Sequence, residues 1–391
     1  MKNKMLLLWL FILSLNLSCK KPYDPPAVPA TTNYLVVEGL INTGSDSTII
    51  SLSRTVKLDS NTVAKPELHA MVSVQDANNS SYPLAELGKG RYGGFLNLDQ
   101  TKKYRLHITT TDGVEYASDN SASINTPDID SIPYKVTSTG LQFYVNTHNP
   151  ANNTHYYRWS FEETWLYLSY YQSYFEIVNN TIVLRPQSDN IYTCYKTQAS
   201  TEILIGSSAK LAQDIIYYQP VNFAPVSSGK IAHGYSFLLK QYGLTQAAYN
   251  YWDNLKKNTQ NLGSIFDAQP STLTGNITCI THPRTPVLGF ISVSNIKSMR
   301  IFVDHNSIAL YTPSYIPPPD SSACPILNLA VQPSSDFDLR FNEAFGRGFY
   351  TPVGGIGSNG VISYYTYAPN ECVDCRLKSP FGTTVKPPFF K

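Results

Sequence analysis

Long apolar runs are scarce in this chain. Apart from a short stretch near its start, no segment approaches the roughly 20 consecutive apolar residues that a membrane-spanning helix needs, so a polytopic membrane protein is excluded. Charge is thin as well: Asp, Glu, Lys and Arg make up 15% against 42% hydrophobic residues, a balance that excludes a disordered polyelectrolyte. Methionine is rare, with 4 in 391 residues. The chain contains neither a G-x-S-x-G elbow nor an H-E-x-x-H pair, and it lacks a Walker sequence and EF-hand spacing. Its seven histidines (His69, His107, His148, His155, His233, His282 and His305) are scattered without a ligand-like pair. No local motif therefore supports a hydrolase, a zinc enzyme or a nucleotide-driven enzyme, though distant residues can still converge in space, and no cofactor is implied. What the chain has in quantity is 28 Tyr, 17 Phe, 26 Pro and 22 Gly, which favours strands and turns over helices. The length suggests two to three domains at roughly 150 residues each.

The amino terminus points to export. Lys2 and Lys4 precede an unbroken apolar run at 5–13, and a small-residue exit leads to Cys19. This is the charged, apolar and small-residue order of a secretory leader, and its apolar stretch is too short to span a bilayer. A cysteine directly after Leu17-Ser18 resembles the bacterial lipobox, with Asn16 where an aliphatic residue is usual. Residues 1–18 are therefore expected to be a lipoprotein signal peptide and Cys19 the lipidated first residue. Acyl chains contributing about 0.8 kcal/mol per buried CH₂ would then hold the protein on a membrane without a transmembrane helix. Loss of the leader removes Lys2 and Lys4, leaving 28 basic against 28 acidic side chains. With adjacent basic pairs only at Lys20-Lys21, Lys102-Lys103 and Lys256-Lys257, nucleic acid is excluded as a partner.

Residues 19–33 form a Pro-rich tether. Beyond it, short β-branched or alternating runs at 34–38, 47–52, 71–75, 92–98, 103–108 and 114–117 are divided by Gly, Asn, Asp and Ser turns. The expectation is a mainly β protein. It opens with an immunoglobulin-like β-sandwich at 34–126, followed by a larger β-rich C-terminal domain at 127–391 that carries disulfides and one short amphipathic helix. The rigid stretch 127–133 is the expected boundary. Aromatics on odd positions from Tyr157 to Tyr167 predict a strand with one face in a core. The aromatics just beyond, Tyr170, Tyr171, Tyr174 and Phe175, are the candidate binding platform. Thr245 is placed to cap the helix, with Leu244 outside it and Ala248, Trp252 and Leu255 on one face until Gly263. Strands resume at 140–145, 287–293, 299–303 and 361–367.

Once Cys19 is acylated, five cysteines remain, all beyond residue 127: Cys194, Cys279, Cys324, Cys372 and Cys375. Export makes structural disulfides the expectation, with one thiol left over. Cys372-Val-Asp-Cys375 has redox or half-zinc spacing but no second pair to complete a site. The glycine pattern from Gly355 to Gly360 matches a dinucleotide fingerprint in letters only, because a strand rather than a helix is expected to follow. Asp128 and Asp130 make a weak two-carboxylate cation candidate.

Several stretches together resemble one family. They are Leu87-Gly-Lys-Gly-Arg-Tyr-Gly93, Tyr249-Asn-Tyr-Trp252, 263–271, Gly275-Asn-Ile277, Val287-Leu-Gly-Phe290, Cys372-Val-Asp-Cys-Arg376 and Lys386-Pro-Pro-Phe-Phe390. The chain looks like the Bacteroidota lipoproteins grouped as domain of unknown function 4249. That resemblance implies a lipid-anchored protein of the cell outer membrane, on its periplasmic or cell-surface face, without established catalytic residues and commonly encoded near TonB-dependent receptors. It also implies Cys194, Cys324, Cys372 and Cys375 as the disulfide set with Cys279 left over, in any of three connectivities. The leading expectation is a non-enzymatic accessory lipoprotein that binds an outer-membrane β-barrel transporter or its cargo. The alternative is a surface glycan- or peptide-binding lipoprotein, and a composite enzyme site is the third class.

Overall fold

The computed structural model describes residues 33–56, 64–78, 80–260, 273–304, 323–332 and 334–390. The leader at 1–18, Cys19 and the tether up to residue 32 lie outside the described residues, as does the family-like stretch 263–271. The first module contains β1 (Leu35–Asn42), β2 (Thr48–Arg54), β3 (Lys65–Pro66), β4 (Met71–Asp76), β5 (Ser81–Gly88), β6 (Arg91–Gly94), β7 (Lys103–Thr109), β8 (Glu115–Ser118) and β9 (Ser121–Ala122). Antiparallel pairing runs unbroken from β1 through β2, β6, β5, β4 and β7 to β8. The alternation read at Tyr104, Leu106 and Ile108 is real, for all three are buried in one core with Leu35, Val37, Ile50, Val72 and Val74. Sequence reading missed β5, where Pro83 interrupts and only Leu84 is buried, so no period shows. That strand changes partners halfway: residues 81–84 pair with β4 and residues 85–88 with β6. In this way it turns the sheet around its core.

The turn after β4 carries a pH-sensitive carboxylate. Asp76 is 1% exposed, and its Oδ1 accepts the backbone N–H groups of Ser80 and Asn78, each at 2.9 Å. The Ser80 N–H holds its pKa below the ordinary carboxylate value, and Lys102, 3.3 Å from Oδ2, adds to the shift. A folded-state carboxyl below its unfolded value stabilises the fold above about pH 4, and that contribution disappears as pH falls through the lowered pKa. Asp76→Asn keeps the acceptor and removes the charge. Acid unfolding followed by circular dichroism should therefore show a shallower loss of stability below pH 4 in the variant, and identical acid limbs would refute this.

The second module begins with β10 (Ile129–Ser131), β11 (Tyr134–Val136), β12 (Gly140–His148), β13 (Tyr156–Leu168), β14 (Phe175–Val178) and β15 (Thr181–Leu184). It continues with β16 (Thr193–Ala199), β17 (Leu204–Ser207), β18 (Ile215–Pro225), β19 (Gly234–Gly243) and helix α1 (Gln246–Gln260). Strands β10, β12, β11 and β18 form one sheet. Tyr157, Trp159, Phe161, Trp165 and Tyr167 on β13 all face the core, as their odd spacing predicts. Phe143 of the first sheet stacks on Phe237 of the second at 4.7 Å between centroids, which fixes the two sheets face to face. The stretch 127–133 leads from the first module into the second and is strapped onto the latter. Ile129 pairs with Thr147, and the fully buried Gln241 donates to the Pro127 carbonyl (2.9 Å) while accepting from Trp159 Nε1 (2.8 Å).

Residues 127–391 do not stay in one domain. The chain returns to the first module with β20 (Ile277–Cys279), β21 (Leu288–Gly289) and β22 (Ser292–Ser294). β20 pairs antiparallel with β8, and β21 and β22 run parallel to β1. The physical reason is that a sheet ending in β8 and β1 leaves two open edges, and these strands cover both. They also complete its core with Ile277, Val287, Ile291 and Val293. The Gly275-Asn-Ile277 and Val287-Leu-Gly-Phe290 motifs meet here. A Cβ on Gly275 would stand 1.9 Å from the Gly289 carbonyl oxygen, and Asn276 exchanges two hydrogen bonds with the Ile291 backbone. β23 (Ile296–Asp304) then rejoins the second module beside β19, completing the sheet β16-β13-β19-β23 to which β17 also pairs.

A third, smaller body holds β24 (Leu327–Ala330), α2 (Phe337–Phe345), β25 (Tyr350–Ser358), β26 (Val361–Pro369) and the four-residue α3 (Asn370–Val373). The single helix expected was α1, which Thr245 does cap through the Ala248 N–H. Helix α2 is an addition, and its signal was Phe337, Phe341, Ala344 and Phe345, a helical stripe that now packs on Leu329. The glycine-rich run from Gly355 to Gly360 lies on the β25–β26 hairpin, where Asn359 (φ +51) and Gly360 (φ +77) make the turn. Cys194 is bonded to Cys375 and Cys324 to Cys372, while Cys279 is a buried free thiol in the first core. The C-x-x-C pair is thus split between two bridges.

Candidate functional site

The expected aromatic platform is dispersed. Tyr170 and Tyr171 both donate their N–H to the Cys372 carbonyl at 3.0 Å, and the Tyr171 hydroxyl donates to the Cys324 carbonyl. Lys378 Nζ sits 3.7 Å from the Tyr170 ring centroid. Phe175 meets Tyr365 edge-on. Only Tyr174 is exposed, at 57%. These residues join the third body to the second module, since rings that lie beside a buried disulfide gain more from packing than from standing in water. Asp128 and Asp130 are separately paired, with Lys297 (2.7 Å) and His148 (2.8 Å). Among the described residues there is no cluster of His, Cys, Asp and Glu able to hold a metal ion.

A cleft of about 650 Å³ opens elsewhere, between the first module and the outward face of the β13–β19–β23 sheet. Strand alternation builds its floor. Where the odd residues of β13 point into the core, Arg158, Ser160 and Glu162 point out. Register sets Arg158 opposite Tyr242, Ser160 opposite Lys240 and Lys240 opposite Ser298. The first module supplies Glu38, Gly39 and Leu40 from β1, with Asp46 and Ile49, and α1 supplies Trp252. At the cleft wall Gly39 lets β2 lie close against β1: its φ is +147, and a Cβ there would lie 2.5 Å from the Ile49 carbonyl oxygen.

Arg158 is the unusual group in that floor. Its guanidinium carbon lies 4.1 Å from the Trp252 ring centroid and 5.1 Å from that of Tyr242, held by two cation–π contacts. Burial pushes its pKa below the usual arginine value, with the charges of Tyr242 and Glu38 opposing that shift. Among the described residues its side chain has neither an ion pair nor a hydrogen bond. The neighbouring polar groups are engaged: Lys240 pairs with Glu162 at 2.6 Å, and Ser160 and Tyr242 share a 2.9 Å hydrogen bond. At the rim Glu38, Asp46 and Glu202 are exposed carboxylates without an ion pair among the described residues. An apolar annex of about 190 Å³ adjoins the cleft, walled by Tyr251, Trp252, Leu255 and Phe290, and it shares Glu38, Gly39 and Trp252 with it.

Sequence reading found the aromatic face of β13 and overlooked the face between. The signal was present, as a basic, a hydroxyl and an acidic residue stand on the even positions 158, 160 and 162. What it lacked was the partner strand and the helix that turn this face into a cleft.

No curated protein matches this chain. The family model described as Domain of unknown function (DUF4249) matches residues 20–300. That span holds both β modules up to the middle of β23 and every residue lining the cleft and its annex, while the motifs at 372–376 and 386–390 lie beyond it. The chain belongs to the DUF4249 family.

Proposed function

We propose that this protein is an accessory lipoprotein of the outer membrane, anchored through Cys19, that binds cargo in the cleft between its two β modules on behalf of a TonB-dependent transporter barrel. The observation that carries the binding role is the cleft itself, whose floor presents a ring-clamped cation with its N–H groups unused. Clefts between modules, mostly apolar with a few placed polar groups, are where small ligands are usually held. The leader-like start and Cys19 support the anchor, and the tether at 19–33 gives the body reach from a lipid surface. No helix among the described residues is long and apolar enough to cross a membrane. The role is one of binding, not catalysis.

Native membranes solubilised in mild detergent should yield the chain together with a barrel-forming partner. Mass spectrometry of its amino-terminal peptide should begin at Cys19 with a diacylglyceryl thioether. A lone monomer with a free Cys19 thiol, or with the leader intact, would overturn the proposal.

A further inference from the structure

We infer that the cleft takes a short peptide, with a free carboxylate seated on Arg158, an amine facing the acidic rim and an apolar side chain in the annex. This rests on the reading of the cleft as the cargo site and names the chemistry of that cargo. A guanidinium offers a planar fork that matches a carboxylate with two parallel hydrogen bonds. Here the fork is held against the Trp252 and Tyr242 rings, at 4.1 and 5.1 Å, with neither an ion pair nor a hydrogen bond among the described residues, so little ordering remains when a carboxylate arrives. Burial disfavours the Arg158 cation, Glu38 offsets this only in part, and a carboxylate bound directly to the fork would offset more.

The other groups narrow the class. Among the described residues lining the cleft, Glu38, Asp46 and Glu202 outnumber Arg158, the one cation there without an ion pair, since Lys240 is already held by Glu162. A polyanion such as a nucleic acid or a multiply phosphorylated lipid would be repelled, whereas an ammonium on the same ligand would be attracted. A neutral sugar would leave Arg158 unpaired, and a fatty acid would leave the rim unmatched. The annex, at about 190 Å³ and walled by Tyr251, Trp252 and Phe290, suits one large apolar side chain rather than an acyl chain. Carboxylate, amine and a single apolar side chain together describe a peptide.

The full mature chain, purified in detergent, would be titrated calorimetrically with an equimolar mixture of Lys-Gly-Phe, Lys-Gly-Leu and Lys-Gly-Tyr as free acids, and with the same mixture as carboxamides. The free acids should bind, and amidation should weaken binding at least tenfold. Arg158→Gln should weaken the acids by a similar factor and bind acids and amides alike, because the cycle removes the same contact from either side. Thermal melting of the variant checks that it folds. If it does not, the acid-against-amide comparison on the unaltered chain still decides. Absence of binding, equal binding of acids and amides, or an Arg158→Gln chain that still prefers acids by tenfold would each overturn the inference. No barrel partner is needed for this titration. A negative result beside a captured partner would thus remove the peptide and leave the accessory role, and the converse result would remove the partner alone.

Discussion

Replacing Cys194 and Cys375 together by alanine is expected to cost about 5 kcal/mol of stability, against about 4 kcal/mol for the Cys324 and Cys372 pair, if loop entropy dominates. The difference follows from loop length, since the first bridge closes 181 residues and the second 48. Position adds to the first. It ties β16 to the segment after α3, where the Cys375 N–H donates to the Ile191 carbonyl and the Tyr167 hydroxyl donates to the Cys375 carbonyl. Losing the bridge therefore loosens the third body from the second module as well as freeing the unfolded chain. Guanidinium unfolding of both double variants under non-reducing conditions would measure the two losses. Equal losses, or a larger loss for the 48-residue loop, would show that local packing rather than chain entropy sets the contribution.

How much of this architecture could be read from residues alone depends on where each residue's partner lies. The strand at 103–109 and the aromatic strand at 156–168 were legible because period-two alternation is a local signal and one buried face is enough to produce it. Capping of α1 by Thr245 was legible for the same reason. The run at 287–293 was legible as extended chain, and β21 and β22 fall within it or one residue beyond. What was not legible is their partner, the edge of β1 some 250 residues earlier, because that dependence is invisible along the chain. The strapping of 127–133 was hidden in the same way, because its anchor Gln241 lies on β19. The candidate platform at 170–175 was an inference from composition, and Tyr170, Tyr171 and Phe175 are packed while Tyr174 stays exposed. Arg158 was overlooked because a cation between aromatics on a strand reads as a solvated face until Trp252 closes over it.

Lys230→Met is expected to destabilise the protein by about 3–5 kcal/mol at pH 7, the cost of stranding a buried charge. Glu163 is 6% exposed on β13, and its carboxylate accepts from Lys230 (2.6 Å), the Tyr235 hydroxyl (2.6 Å) and Asn222 (3.2 Å). Burial first, then the charge of Glu163, pushes the Tyr235 phenol well above its usual pKa, so it remains a protonated donor. Lys230 is the one cation in the group, and it also lies 4.8 Å from the Trp165 ring centroid. Methionine fills much of the same space against that ring and removes the charge alone. With no cation beside it, the Glu163 carboxylate keeps only the neutral donors Tyr235 and Asn222. Adding Glu163→Gln should recover most of the loss, since the amide oxygen still accepts from Tyr235 and carries no charge to strand. Chemical denaturation of the single and the double variant at pH 7 separates the possibilities. A Lys230→Met loss below about 1 kcal/mol would mean that Tyr235 and Asn222 alone satisfy Glu163 and that the ion pair adds only what an exposed pair would.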